Sequence, residues 1–98
     1  MFYKNSCKAI QDKIRATFPG VMPFRHDGHI STDKLPSHLL WMTEEMPSWD
    51  TRSIKKAVKA GRWIGWMYRG MEELLLWSNV DSRNWAREDS HSGFDIPH

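Results

Sequence analysis

The residues best suited to chemistry lie in one stretch, residues 52–77, where basic and aromatic side chains are interleaved. Six cations precede the first acid of this stretch: Arg52, Lys55, Lys56, Lys59, Arg62 and Arg69. Three of the six tryptophans of the chain lie there too, namely Trp63, Trp66 and Trp77. Arg and Trp are frequent anchors of protein interfaces, and Trp also stacks on unpaired bases. We therefore take these residues as the candidate binding site, for either a protein or a nucleic acid.

A second candidate is the segment His26-Asp27-Gly28-His29, whose imidazole and carboxylate groups are metal-ligand types. A protein metal site needs three or four ligands with supporting hydrogen bonds. Only His38 is close enough in the sequence to extend the set, and Cys7 is remote. We interpret the segment as a polar loop and predict neither a metal site nor a cofactor.

Catalytic patterns are missing from the sequence. The acids at Glu44-Glu45 and at Glu72-Glu73 are adjacent pairs, and adjacent helical residues point about 100° apart, so neither pair forms an acid–base dyad. No Ser/His/Asp arrangement, Gly-rich phosphate loop or CxxC motif occurs. Cys7 lies on an apolar stripe and is interpreted as a small core residue. The sequence predicts a protein that is not an enzyme.

Composition narrows the class of protein. The 98 residues include 14 Lys and Arg against 12 Asp and Glu, so the whole chain is neither a strong attractor of nucleic acid nor an acidic mimic of it. A single cysteine excludes an intramolecular disulfide and fits a reducing cytoplasm. Residues 1–5 lack a signal-peptide pattern. The apolar window at 57–77 holds five charged residues, which excludes a membrane-spanning helix.

Apolar spacing predicts a single all-α domain over residues 1–98, a small bundle of about three helices. The predicted elements are, in order, a helix at 3–18, a long loop at 19–33, helices at 34–46 and 51–78, a short helix at 82–88 and a tail at 89–98. Cys7, Ile10, Ile14 and Phe18 share one face of the first helix, and Leu35, Leu39, Met42 and Met46 share one face of the second. The loop is long enough to suggest a functional or partner-ordered segment. The tail is expected to be mobile when free.

Helical phasing divides the long third helix into two faces. The predicted core half carries apolar and small residues: Ile54, Ala57, Val58, Gly61, Ile64, Gly65, Tyr68, Met71 and Leu75. The other half carries the six cations with the three tryptophans, which places these tryptophans outside a simple core unless the ends of the chain cover them. Ala57, Gly61 and Gly65 predict close approach of another helix. The apolar run at 74–77 predicts a fully buried turn.

Three prolines stand beside apolar residues in or near predicted loops: Pro23, Pro36 and Pro47. Bonds preceding proline isomerise slowly and are substrates for prolyl isomerases. The three are therefore candidate isomerase-binding positions, and ordinary helix punctuation is the alternative interpretation.

The central segment carries a resemblance to a known family. Its residues are Lys55-Lys56-Ala57-Val58-Lys59-Ala60-Gly61-Arg62-Trp63-Ile64-Gly65-Trp66. In a short, Trp-rich helical chain, this segment resembles the anti-RecBCD accessory proteins of lambdoid phages, and the likeness covers most of the chain. The resemblance implies a non-enzymatic protein of the host cytoplasm that binds the host RecBCD helicase–nuclease, chiefly its RecC subunit. Such binding would spare phage DNA ends and redirect recombination. The resemblance also implies association with a host prolyl isomerase. A small basic–aromatic nucleic-acid-binding protein is the alternative.

Overall fold

The computed structural model describes residues 1–92, which form four α-helices and a short 3-10 turn. The helices are α1 (Lys4–Thr17), α2 (Leu35–Glu45), α3 (Ile54–Glu73) and α4 (Asn79–Ser92), and the 3-10 turn is Met46–Ser48. No strand occurs in these residues, so the all-α prediction is confirmed, although the expected count of about three helices is one too few. No helix within residues 1–92 has both the length and the apolar composition needed to cross a bilayer. The part of the predicted mobile tail at 93–98 lies outside the described residues.

The core forms where α1, α2 and α3 meet. The predicted stripes of the first two helices pack there, with Cys7, Ile10 and Ile14 from α1 and Leu35, Leu39 and Met42 from α2. Leu40 of α2 and buried residues outside those two helices complete it, the latter being Phe2, Met46, Ala60, Ile64, Met67 and Met71. A recurrence of three and four residues is therefore sufficient to identify the buried faces of α1 and α2.

The buried face of α3 differs from the prediction. Ala60, Ile64 and Met67 lie on it, and at about 100° per residue its centre is roughly 80° from the centre of the predicted core half. Ile54 and Val58, predicted to face the core, are 82% and 58% exposed. The prediction is confirmed for Ile64 and Met71, which are buried, and is wrong for Ile54 and Val58. The error arises because the prediction followed the branched side chains, whereas fully buried Ala60 and Met67 occupy packed positions.

The C-terminus of α3 is closed by a Schellman motif with an unusual residue in it. The Leu76 N–H donates to the Met71 carbonyl oxygen at 3.0 Å, and the Leu75 N–H donates to the Glu72 carbonyl oxygen at 3.0 Å. Leu75 has a φ of 57°, in the left-handed region where glycine is usual. α3 therefore ends at Glu73, before the predicted end at 78. Leu75 is 89% exposed, so the prediction of a fully buried turn at 74–77 is wrong.

Close helix approach occurs at a different glycine from the predicted ones. A Cβ atom on Gly70 would lie 3.1 Å from Leu39 Cδ2, so α3 meets α2 tightly there. A Cβ atom on Gly65 would have no neighbour within 4 Å, and one on Gly61 would meet only the Tyr3 hydroxyl at 3.8 Å. The predicted small-residue stripe is therefore not the contact between helices.

The two ends of the described chain are joined by Asp89, a residue that the sequence placed in the tail. Its buried carboxylate accepts hydrogen bonds from the Asn5 N–H at 2.9 Å, from the Ser6 N–H at 3.1 Å and from the Ser6 hydroxyl. The local N-cap residue, Tyr3, supplies no side-chain hydrogen bond to the first turn of α1. Asp89 thus caps α1 from α4, with its charge at the favourable end of the helix dipole. The tail prediction is wrong for residues 89–92, which belong to α4.

A small polar network surrounds this contact. The Ser6 hydroxyl also shares a hydrogen bond with the Tyr68 hydroxyl, the two oxygens lying 2.6 Å apart. Burial, followed by the nearby Asp89 carboxylate, raises the pKa of the Cys7 thiol to about 12. The thiol is therefore protonated and lies 3.8 Å from the Met46 sulfur, as expected for a core residue rather than a nucleophile.

Candidate functional site

Four tryptophans and a histidine from three segments of the chain form one aromatic group, which we call the aromatic cluster. Trp63 is central, with its ring centroid 5.4 Å from that of Trp41 and 4.7 Å from that of Trp49. The His38 ring lies 5.3 Å from Trp41 and 5.4 Å from Trp66, in an edge-to-face arrangement with Trp66. Distances in this range are those at which aromatic pairs stabilise one another.

Local helix geometry explains most of this grouping. His38 and Trp41 are three residues apart on α2, and Trp63 and Trp66 are three residues apart on α3. Residues at this spacing lie on the same side of a helix, so each helix presents a pair. Trp49 joins them because the chain leaves the 3-10 turn in an extended conformation at this residue, with φ −81° and ψ 137°.

Cations lie over the faces of these rings. The Lys59 ammonium is 5.0 Å from the Trp49 centroid and 5.3 Å from that of Trp63, and the Lys56 ammonium is 5.0 Å from Trp49. The Arg25 guanidinium lies 5.5 Å from the Trp41 centroid. Each such contact is worth about 0.5–1 kcal/mol at an exposed site. Within residues 1–92 neither lysine forms an ion pair, so their charges stay available to a ligand.

The long predicted loop is attached to α2 at the edge of the cluster. The Phe24 N–H donates to the Ser37 carbonyl oxygen at 3.1 Å, and the His26 N–H donates to Nδ1 of His38 at 3.0 Å. That bond requires an unprotonated Nδ1 on His38. Burial, followed by the charges of His26 and Arg25, lowers the pKa of His38 from 6.5 and so favours the neutral ring.

An open cleft of about 370 Å³ lies between this loop, α2 and α3. Its apolar walls are Ile30, Trp41, Met42, Trp63 and Trp66. Its polar lining consists of Arg62 and the two histidines His26 and His38, without a carboxylate. Trp66 is 41% exposed at its edge, more than any other tryptophan that the structure describes. The cleft therefore combines an accessible aromatic edge with one guanidinium group, that of Arg62.

The structure brings together only part of the predicted binding set. Lys56, Lys59, Arg62, Trp63 and Trp66 meet at the aromatic cluster or its cleft. The remaining members lie elsewhere: Arg52, Lys55, Arg69 and Trp77.

Those four residues have separate surroundings. Arg52 pairs with Asp50 at 3.2 Å just before α3, and Lys55 is exposed on the first turn of that helix. Arg69 follows Trp66 by three residues on α3 and lines a second opening, which adjoins the cleft at Trp66.

Trp77 belongs to another part of the molecule. Its ring centroid lies 6.1 Å from that of Tyr68 and 6.4 Å from that of Trp85, which stacks on it from α4. Its Nε1 is buried and has no acceptor among the described residues. α4 therefore covers Trp77. This agrees, for this one tryptophan, with the alternative interpretation in which other parts of the chain cover the tryptophans.

Four contributors to the site are not among the binding residues predicted from the sequence: Arg25, His38, Trp41 and Trp49. A signal for two of them was present, because His38 and Trp41 stand three apart on a predicted helix, beside its apolar stripe. Nothing local links Arg25 or Trp49 to α3, since both reach the cluster through tertiary packing.

The other predicted positions are dispersed. Pro36 is buried in the first turn of α2, Pro47 is exposed in the 3-10 turn, and Pro23 is half-buried between exposed Met22 and Phe24. Asp27 pairs with Arg25 at 3.3 Å. Among the side chains that the structure describes, those of residues 1–90, no three His, Cys, Asp or Glu are grouped as metal ligands.

Comparisons with known proteins add no family to this description, so the argument for function depends on the side chains of the surface itself. No protein-family model, no curated protein and no solved structure matches the chain.

Proposed function

We propose that this protein is a non-enzymatic binding protein that holds a protein partner on the aromatic cluster. The observation that supports this most directly is the exposed edge of Trp66 beside an open cleft whose lining contains Arg62 and no carboxylate. Interfaces are commonly anchored by Trp and Arg, with polar groups around them. Lys56 and Lys59 lie on the same side of α3 and would supply part of such a rim.

The accessibility of the rings favours a protein over a nucleic acid. Stacking on bases needs free aromatic faces in succession. Lys56 and Lys59 lie over Trp49, and Trp63 is surrounded by Lys59, Trp41 and Trp49. Trp66 is then the main ring left for stacking, on a chain whose formal net charge is only +2.

For the identity of the partner we propose the host RecBCD helicase–nuclease, bound chiefly through its RecC subunit. Support for this comes from the resemblance of the segment 55–66, whose residues Lys59, Arg62, Trp63 and Trp66 line the cluster or its cleft. Binding in the host cytoplasm would protect phage DNA ends and redirect recombination. A host prolyl isomerase is a proposed second partner, for which Pro23 and Pro47 are more accessible than Pro36.

A binding assay with purified RecBCD tests the proposal. We expect Trp66→Ala to weaken binding about thirtyfold, the effect of losing an interface anchor worth about 2 kcal/mol. The far-UV circular dichroism spectrum should not change, because this ring is 41% exposed. Lys8→Gln is the matched control, since Lys8 pairs with Asp12 on α1, away from the cluster.

Two results would count against the proposal. The first is an absence of RecBCD binding, and the second is unchanged binding by the Trp66→Ala protein. Tight binding to single-stranded DNA that falls steeply with salt would favour the nucleic-acid alternative, because phosphate contacts release counterions.

A further inference from the structure

A second opening, of about 340 Å³, adjoins the first along α3. The two openings share Gly28, Ile30 and Trp66 in their linings. Together they form a groove between the loop and α3, with Trp66 at its middle. Arg62 lines one end of this groove and Arg69 lines the other.

The positions of the two arginines relative to each other are fixed by α3. They are seven residues apart on one helix, which places them on the same side and about 10.5 Å apart along its axis. Neither forms an ion pair within residues 1–92. The opening at Arg62 has no carboxylate in its lining, and the adjoining opening at Arg69 has one, that of exposed Glu73. Arg69 also borders a separate opening between α3 and α4, whose lining includes Glu72. The groove thus has a cation at each end and aromatic and aliphatic walls between them.

We propose that this groove binds an extended acidic peptide segment whose acidic residues are three positions apart, with apolar residues between them. The inference deepens the proposed function, on which it rests, by assigning the class of segment that the partner presents. The acidic side chains pair with Arg62 and Arg69, and an intervening apolar side chain packs against Trp66 and Ile30.

The spacing of the arginines selects this occupant. A polyproline II segment has three residues per turn and rises about 3.1 Å per residue, so side chains three apart share one edge about 9 Å apart. That distance is close to the axial separation of the arginines. Such segments typically dock in aromatic-lined grooves, because their backbone is extended before binding. Guanidinium groups bind carboxylates in a planar, bidentate geometry, which suits acidic residues at both ends.

Synthetic peptides test the spacing without altering the protein. The probe is a fluorescein-labelled peptide, Ser-Gly-Glu-Pro-Leu-Glu-Gly-Ser, and fluorescence anisotropy measures its binding. A peptide of the same composition with adjacent acids, Ser-Gly-Glu-Glu-Pro-Leu-Gly-Ser, is the matched control. We expect the probe to bind about tenfold more tightly than the control, and replacement of both glutamates by lysine to abolish binding. Equal affinity of the probe and the control would overturn the proposal.

Variants of the protein locate the contact. Arg62→Gln and Arg69→Gln should each weaken binding of the probe about threefold, as expected for exposed charge pairs. Lys8→Gln should leave it unchanged, since Lys8 lies on α1. Binding that is insensitive to both arginine variants would overturn the proposal, as would single-stranded DNA that displaces the probe at equal concentration.

The outcomes separate this inference from the proposed function. If the protein binds the probe but does not bind RecBCD, the groove is retained as an acidic-peptide site and RecBCD is rejected as the partner. If the protein binds RecBCD but does not bind the probe, the proposed function is retained and the groove is rejected as an acidic-peptide site.

Discussion

Two regions of this molecule place their charged side chains in opposite surroundings. At the junction of α1 and α4, the buried Asp89 carboxylate is hydrogen-bonded by Asn5 and Ser6, and Ser6 is bonded in turn to Tyr68. At the aromatic cluster, Lys59 has ring faces but no carboxylate beside it, and Trp66 reaches the solvent. Polar groups whose hydrogen bonds are satisfied internally stabilise a fold, whereas cations that have no carboxylate partner and lie beside an exposed ring are suited to bind another molecule.

Tryptophan itself does not distinguish the two regions. Trp41, Trp49, Trp63 and Trp66 belong to the aromatic cluster, whereas Trp77 and Trp85 stack where α4 covers the chain. An abundance of Trp near basic residues therefore identifies a binding surface only after the covered rings have been separated from the exposed ones.

The largest expected effect is a loss of stability when the junction of α1 and α4 is broken. Asp89→Ala should lower the free energy of unfolding by about 3 kcal/mol, because it removes several hydrogen bonds to a charged cap and leaves two amides of α1 without an acceptor. Urea denaturation measures this loss. The control is Asp12→Ala, an exposed partner of Lys8, for which we expect a change within about 0.5 kcal/mol. Similar losses in the two variants would contradict the structural role of Asp89, and reduced partner binding by folded Asp89→Ala protein would break the contrast between the regions.

A pair of glycines tests where α3 is packed. Gly70→Leu should destabilise the protein by about 2 kcal/mol, because Leu39 leaves no room beside Gly70. Gly65→Ala should instead stabilise it by about 1 kcal/mol, since the site is open and alanine is the better helix former. Thermal unfolding of both variants checks this. A stabilised Gly70→Leu protein would show that α2 and α3 are not in close contact there.

A smaller gain in stability is expected at the end of α3, which belongs to neither region. Leu75→Gly should stabilise the fold by about 1 kcal/mol, because the left-handed conformation is strained for leucine and the side chain loses little by leaving an 89% exposed site. Leu74→Gly is the matched control and should destabilise, since Leu74 has an ordinary φ of −75° and packs against the core. Chemical denaturation distinguishes the two, and equal destabilisation would argue against the Schellman motif.

The smallest expected effect is a dependence on pH at the edge of the aromatic cluster. The pKa of His38 is lowered in the folded protein from 6.5, chiefly by burial. The neutral His38 ring therefore contributes fully to the free energy of unfolding above pH 6.5, and this contribution declines as the pH falls below 6.5. Urea midpoints near pH 7.5 and near pH 5 should therefore differ less in His38→Gln than in the unaltered protein. An NMR titration that places the His38 pKa above 6.5 would contradict the prediction.

The spacing of apolar residues along the sequence predicts the buried faces of some helices correctly. The buried faces of α1 and α2 follow from the spacing of residues such as Ile10, Ile14 and Leu39. The face of α3 did not follow, because Ala60 and Met67 are weak indicators of burial compared with Ile54 and Val58, which the structure exposes.

The binding surface was predicted in its α3 half only. Lys59, Arg62, Trp63 and Trp66 were identified from one segment of the sequence, whereas Trp49 joins them by a change in chain direction. The local sequence pattern places Asp89 in a tail, because its partners, Asn5 and Ser6, lie more than eighty positions away. No periodicity within a helix carries information about a contact of that kind.

The cap that Asp89 places on α1 has a consequence for the order in which the chain matures. A ribosome makes α1 before α4, and the carboxylate that completes the first turn of α1 follows Asn5 and Ser6 by more than eighty residues, so this junction cannot close until α4 has been made. Nascent chains that end before residue 89 would hold the first turn of α1 open and accessible to proteases. A chain that lacks α4 would thus be weakened in α1, more than eighty residues away from the missing helix.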